Sequence, residues 1–153
     1  MQLTRAADYA VRVLVHLAGQ PVHTRASRAD LAEAAECPEQ FLSKVLQSLT
    51  RAGLVVSHRG NTGGFELPVS RQEVTLLDVV EAIEGPIRLN LCLTSGEACR
   101  RLGSCPAHPV WAEAQRAMLE VLRRSTIRDL AHPAAAKREG GGNGSGGGPH
   151  PHT

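Results

Sequence analysis

Up to Gly53 the apolar residues of this chain recur at every third or fourth position; beyond it they fall into short β-branched runs. That change of period constrains the fold most, because a helix-period pattern cannot keep one face of a strand buried. Positions 4–19 place Ala6, Tyr9, Ala10, Val13, Leu14 and Leu17 on one stripe, with Thr4 as N-cap and Gly19-Gln20-Pro21 as the stop. Ser27 opens a second helix that runs to about Glu36, and Asp30 completes a capping box in place of the usual glutamate. Pro38 suits the first position of a third helix, since its missing N–H is not needed there. Phe41, Leu42, Val45, Leu46 and Leu49 form that helix's stripe, and Gly53 closes it.

Residues 54–58 are then β-branched, 59–64 form a glycine-rich turn, and 65–67 alternate, which predicts a β-hairpin. Three helices followed by a hairpin within some 67 residues is the order of a winged helix-turn-helix. A fourth helix is expected from Thr75, with Asp78 three residues on, to Gly85-Pro86. Residues 87–91 read as extended. The longest helix starts at Pro106 or His108 and ends near Arg124, with Val110, Ala114, Ala117, Met118, Val121 and Leu122 on its apolar face. Such a stripe, placed after the compact part, calls for a partner surface, and a twin subunit is the natural one. A last helical turn covers 126–131. The expected fold is thus mainly α with a small β-hairpin wing. Residues 1–70 form the winged helix-turn-helix, 71–131 the cysteine loop and dimerisation helix, and 132–153 a disordered Gly/His/Pro tail.

Composition narrows the function. Aromatic residues are 3% of the 153, so the core must be built from Leu, Val, Ile and Ala. A net charge of +2 neither requires nor excludes nucleic acid, because a DNA reader needs local rather than global basic density. Apolar runs broken by Arg12, His16 and Asp78 fall short of the roughly 18–20 residues of a membrane span. Together with a start that lacks a signal-peptide core, this predicts a soluble, cytoplasmic protein without a membrane partner. No GxxxxGK[ST], HExxH or GxSxG motif occurs, and no enzymatic activity is expected.

Two places carry chemistry. The first is the third helix with the hairpin tip. Gln40 and Ser43 can hydrogen-bond base edges, Lys44 and Arg51 suit phosphate or guanine, and Gln47 lies on the same polar face. Arg59, Asn61, Gly63 and Gly64 give a backbone able to approach a DNA backbone or minor groove closely, beside a cation. Glu39 weighs against strong direct readout. The second is the set Cys92-x6-Cys99-x5-Cys105, with His108 two residues further on. Reduced cytosolic thiols grouped in a polar loop suit an iron–sulfur cluster, zinc or thiol-redox chemistry, and no Cys-x2-Cys pair of the zinc-ribbon kind is present. Three sulfurs leave a cluster one protein ligand short. Cys37, beside Pro38 at a helix start, reads as a packed structural thiol, although a helix dipole there can lower a thiol pKa.

The segments Met1–Arg12, Phe41–Leu49, Ala52-Gly53-Leu54-Val55, Arg59–Phe65 and Thr75–Gly85, with the three cysteines and Ser125–Leu130, occur in the order seen in one family. In this the chain resembles the IscR, NsrR and RirA family of dimeric winged-helix transcription regulators that sense through iron–sulfur clusters. The resemblance spans residues 1 to about 131. It implies that Cys92, Cys99 and Cys105 bind a cluster, 2Fe–2S or 4Fe–4S, with His108 or Asp8 of the partner subunit as fourth ligand. It further implies a homodimer on a double-stranded DNA operator, probed by two reading helices about one helical turn apart. The function expected is repression controlled by redox state, iron supply or nitric oxide. Ser43 stands where the IscR branch commonly has glutamate, so the resemblance does not carry that branch's target sequence over to this chain. The alternatives are DNA binding governed by a thiol-redox or zinc site, and, more remotely, an iron–sulfur carrier.

Overall fold

Four hydroxyl side chains start four of the helices. Thr4, Ser27, Thr75 and Thr126 accept hydrogen bonds from the backbone N–H groups of Ala7, Asp30, Asp78 and Asp129, satisfying donors that a helix start leaves over. At Ser27 and Thr75 the aspartate returns the bond, so both expected capping boxes form. The computed structural model describes residues 2–94 and 99–133. Its helices are α1 (Arg5–Ala18), α2 (Arg28–Ala35), α3 (Glu39–Arg51), α4 (Leu76–Glu84), α5 (His108–Arg124) and α6 (Ile127–Ala131). Strands β1 (Val56–His58) and β2 (Gly64–Glu66) pair antiparallel in the register Val56–Glu66, Ser57–Phe65 and His58–Gly64.

The mainly helical winged fold expected from the sequence is therefore present, with small differences at the element ends. Pro38 stands one residue outside α3 rather than in its first turn. Residues 54 and 55 are not in the strand. Gly53 adopts φ +69°, and the Leu54 N–H closes α3 on the Leu49 carbonyl at 2.9 Å, so Leu54 and Val55 turn inward. Likewise Leu67 is buried behind β2. The stretch expected to be extended at 87–91 ends in a 3-10 turn, Leu91–Leu93, capped by the Asn90 side chain. The sequence reading also missed a third edge of the wing. Ala26 exchanges two hydrogen bonds with Phe65, at 3.0 and 2.8 Å, tying the loop before α2 to the hairpin.

The main core is aliphatic, as the low aromatic content requires. Val13, Leu14, Leu31, Leu42, Leu46, Leu49 and Ile127 are almost fully buried and belong to one cluster. Helix α1 is its centre, in contact with α2, α3, α4 and α6. Val74 and Ile127 lie in that cluster, which therefore extends beyond position 70. A smaller cluster joins Leu77, Val80 and Ile87 to Met118, Leu119 and Leu122 of α5. The expected tail at 132–153 falls, for positions 134–153, outside the described residues; His132 donates from Nε2 to the Ala18 carbonyl at 3.2 Å.

Candidate nucleic-acid interface and cysteine site

Helix α3 buries Leu42, Val45, Leu46 and Leu49 and thereby turns Glu39, Gln40, Lys44, Gln47 and Arg51 outward, with Ser43 half-buried between the faces. The turn from α2 into α3 is only three residues long, with Glu36 in the left-handed region at φ +52°. Cys37 within that turn is buried. Burial pushes its thiol pKa up, and its sulfur lies 3.5 Å from the Pro38 carbonyl, so it is a packing residue rather than an activated thiol.

Between α3 and the hairpin runs a cleft of ≈ 530 Å³. Arg28, Ser43, Gln47, Arg51, Ser57 and Arg59 are among the residues lining it, and none of the described residues that line it is a carboxylate. Of the residues expected to contact DNA, Ser43, Gln47, Arg51 and Arg59 are brought together here. Gln40 lies across Ser43 in a smaller adjoining depression, and Lys44 is on the exposed face of the same helix. Asn61 is at the exposed hairpin tip.

Gly63 and Gly64 serve the fold. A Cβ on Gly63 would stand 2.5 Å from the His58 carbonyl oxygen, and one on Gly64 would stand 2.7 Å from that of Ala26. Gly60, at φ +99° and facing open space, is the glycine able to approach another molecule.

The sequence reading also missed what holds the wing. Glu66 on β2 accepts hydrogen bonds from His23 Nδ1 at 3.0 Å and His58 Nε2 at 2.9 Å, with the Arg25 guanidinium at 3.9 Å. Arg25 donates in turn to the Thr62 carbonyl near the tip at 3.0 Å. These residues come from three separate segments and share no spacing, so no sequence pattern announces them. The hydrogen bond from His23 chiefly, helped by that from His58, holds the Glu66 carboxyl below the ordinary 4.5, against the opposing effect of burial. A lowered carboxylate pKa stabilises the folded state above the ordinary value, and the contribution disappears as pH falls through the lower folded-state value. Glu66→Gln is therefore expected to be less stable than the parent in urea at pH 7, by a difference that shrinks as the pH falls below the ordinary carboxylate value. A constant difference across that range would show that charge is not the cause.

The cysteines lie on the opposite part of the chain. Cys92 is in the 3-10 turn against α5, and Cys105 sits before that helix and accepts the His108 N–H at 3.3 Å. Cys92, Cys99 and Cys105 are all free and half-buried. His108, the first residue of α5, has a buried Nδ1 without a hydrogen-bond partner among the described residues, an arrangement that costs free energy unless another ligand uses it. Three thiols and one unpaired imidazole nitrogen are the donor types that suit an iron–sulfur cluster or another soft metal centre. Among the described residues, however, no three His, Cys, Asp or Glu side chains are gathered closely enough to hold a metal ion. Asp8 on α1 is engaged by Arg12 at 2.8 Å, and Arg12 also reaches Glu36 at 3.5 Å and the Ala35 carbonyl at 3.2 Å.

Among the described residues, no helix is long and apolar enough to cross a membrane. Residues 3–133 match the Rrf2 family, described as iron-dependent transcriptional regulators. The chain is 41% identical over 132 residues to protein aau3 of Rhizobium meliloti, covering 85% of this chain and 84% of that one. It is 33% identical over 131 residues to the transcriptional regulator NsrR of Shouchella clausii, covering 85% of this chain and 88% of the relative. In structure it is similar to CymR, the global cysteine regulator of B. subtilis, with a TM-score of 0.70 at 27% identity over 86% of this chain and 96% of that one. Relatives such as NsrR are named as transcriptional regulators, which are not enzymes. A reading helix, a wing and a cation-lined cleft between them agree with that match over nearly the whole length: the chain belongs to the Rrf2 family of winged-helix transcriptional regulators.

Proposed function

We propose that the protein is a homodimeric, DNA-binding repressor whose operator occupancy is set by an iron–sulfur cluster bound to Cys92, Cys99 and Cys105. The observation that carries the DNA reading is the cleft between α3 and the hairpin, where Arg28, Arg51 and Arg59 stand without a carboxylate in its wall. Gln40, Ser43, Lys44 and Gln47 lie along the helix that would enter the major groove, and Arg59 and Asn61 beside the adjacent backbone. The reading of a homodimer is supported by α5. Met118, Leu119 and Leu122 of this helix pack inward, while Val110, Ala114, Ala117 and Val121 stay exposed at the 4-3-4 spacing of a helix-pairing seam.

His108, with its unpaired buried Nδ1, is the fourth ligand this chain itself offers. Asp8 of the partner subunit is the alternative, and using it would require breaking its pair with Arg12. A bound cluster supplies a redox- and nitric-oxide-sensitive iron centre. Cys92 and Cys105 flank the loop that runs into α5, so a change in how their sulfurs are held bears directly on the helix that joins the subunits. A coupling of about 1–3 kcal/mol between that loop and the reading heads changes operator occupancy roughly 5–150-fold. Ligand gathering coupled to binding is the ordinary behaviour of metal sites whose residues are not pre-assembled.

The protein purified without oxygen is expected to contain iron and sulfide and to be coloured. Cys99→Ser should lose the iron and shift operator affinity at least about 5-fold, by the coupling above. Iron-free protein from such preparations refutes the cluster, and identical operator binding with and without iron refutes its control of DNA binding. A second reading, thiol-based control, is favoured by the ungathered sulfurs and by the likeness to CymR of Staphylococcus aureus, whose structure is known in an oxidized form. It predicts colourless protein whose DNA affinity responds to reversible oxidation of the same three cysteines.

A further inference from the structure

Arg28 is not marked by any pattern in the sequence, yet its side chain crosses from the first turn of α2 to the first turns of α3. Its Nε donates to Glu39 Oε1 at 2.9 Å, and Nη1 donates to Ser43 Oγ at 3.4 Å. The Ser43 hydroxyl donates to the Glu39 carbonyl at 3.1 Å, so its lone pairs are available to the guanidinium. Of the five N–H donors on an arginine, these contacts use two and leave three.

Arg28 lines both the ≈ 530 Å³ cleft beside the hairpin and the ≈ 210 Å³ depression formed with Glu39, Gln40 and Ser43. It therefore stands at the N-terminal end of α3, the end of a reading helix that approaches base edges. Arg51 and Arg59, at the other end of α3 and on the hairpin, are placed for phosphates. The Glu39 carboxylate, which on its own would repel a polyanion, is neutralised by the same contact.

Resting on the DNA-binding reading above, we propose that Arg28 is a base-reading residue that selects guanine, with Glu39 and Ser43 as positioning residues. A planar guanidinium pinned at two of its nitrogens loses less freedom on binding than an unrestrained one, and its fork matches the O6 and N7 acceptors of guanine. A lysine at this position could supply the charge but not the fork.

Selection of bound duplexes from a randomised pool tests this, with wild type, Arg28→Leu, Arg28→Lys and Glu39→Gln compared by melting temperature first. Wild type should enrich guanine at one position of each half-site, with a discrimination of about 5- to 150-fold over the other bases. Arg28→Leu and Arg28→Lys should lose that preference while keeping the rest of the site, and Glu39→Gln should weaken it. If Arg28→Leu selects the same guanine with unchanged discrimination, or loses affinity equally for all sequences, Arg28 does not read a base. Wild type that enriches nothing and binds duplexes without salt dependence overturns the DNA-binding reading itself, and the assignment of Arg28 with it.

Discussion

Gly64→Val is expected to lower the stability of the protein by about 3–5 kcal/mol and to weaken its binding to DNA. Two physical causes add. The backbone at Gly64 has φ +139°, a region that costs a β-branched residue about 1–3 kcal/mol. A Cβ there also falls 2.7 Å from the Ala26 carbonyl oxygen and 3.2 Å from its carbon, which are backbone atoms unable to swing aside. To relieve the contact, the Ala26–Phe65 pair must separate, giving up two hydrogen bonds worth about 1 kcal/mol each. The hairpin then loses the connection that sets its angle to α3, and the cleft between them loses its shape. Urea titration and DNA-binding anisotropy read the two effects. A Gly64→Val protein of parental stability would mean that the wing is not docked through Ala26.

The second large effect concerns the exposed stripe of α5. On the homodimer proposed above, replacing Val110 and Val121 together by glutamate is expected to give a folded monomer whose operator affinity is lower by about 10²–10⁴-fold. The loss comes from tethering, because a dimer binds its second half-site as an intramolecular step. Folding should survive, since Val110 is 63% and Val121 48% exposed and the inward side of the helix rests on Met118, Leu119 and Leu122. In a paired helix seam, the introduced carboxylates would face one another without water. Sedimentation and operator titration decide the matter: a doubly substituted protein that is still dimeric would place the subunit contact elsewhere.

Both predictions separate what patterns reveal from what they hide. The stripes of α1 and α3, the caps at Thr4, Ser27, Thr75 and Thr126, and the hairpin after Gly53 are local features, written within a few residues of each other. The family was legible in the same way, from the order of short motifs and the three cysteines. Even so, the apolar face read on α5 is two faces: Met118 and Leu122 are packed within the chain, whereas Val110, Ala114, Ala117 and Val121 are not. Periodicity finds a stripe but cannot say how much of it the chain's own core will cover. Glu39 taught the reverse lesson. As a residue in sequence it counts against DNA, and in space Arg28 cancels its charge.

The elements, their order and the chemical types at both sites follow from local sequence, because helix caps, turn glycines and hydrophobic periods act over a few residues. It took the folded chain to show that Gly63 and Gly64 serve close backbone packing, that His23, Arg25 and His58 converge on Glu66, and that Arg28 joins the reading helix. The side-chain contacts among these unite residues 8 to 43 positions apart, and such a long-range meeting depends on how helices and hairpin pack rather than on any local pattern.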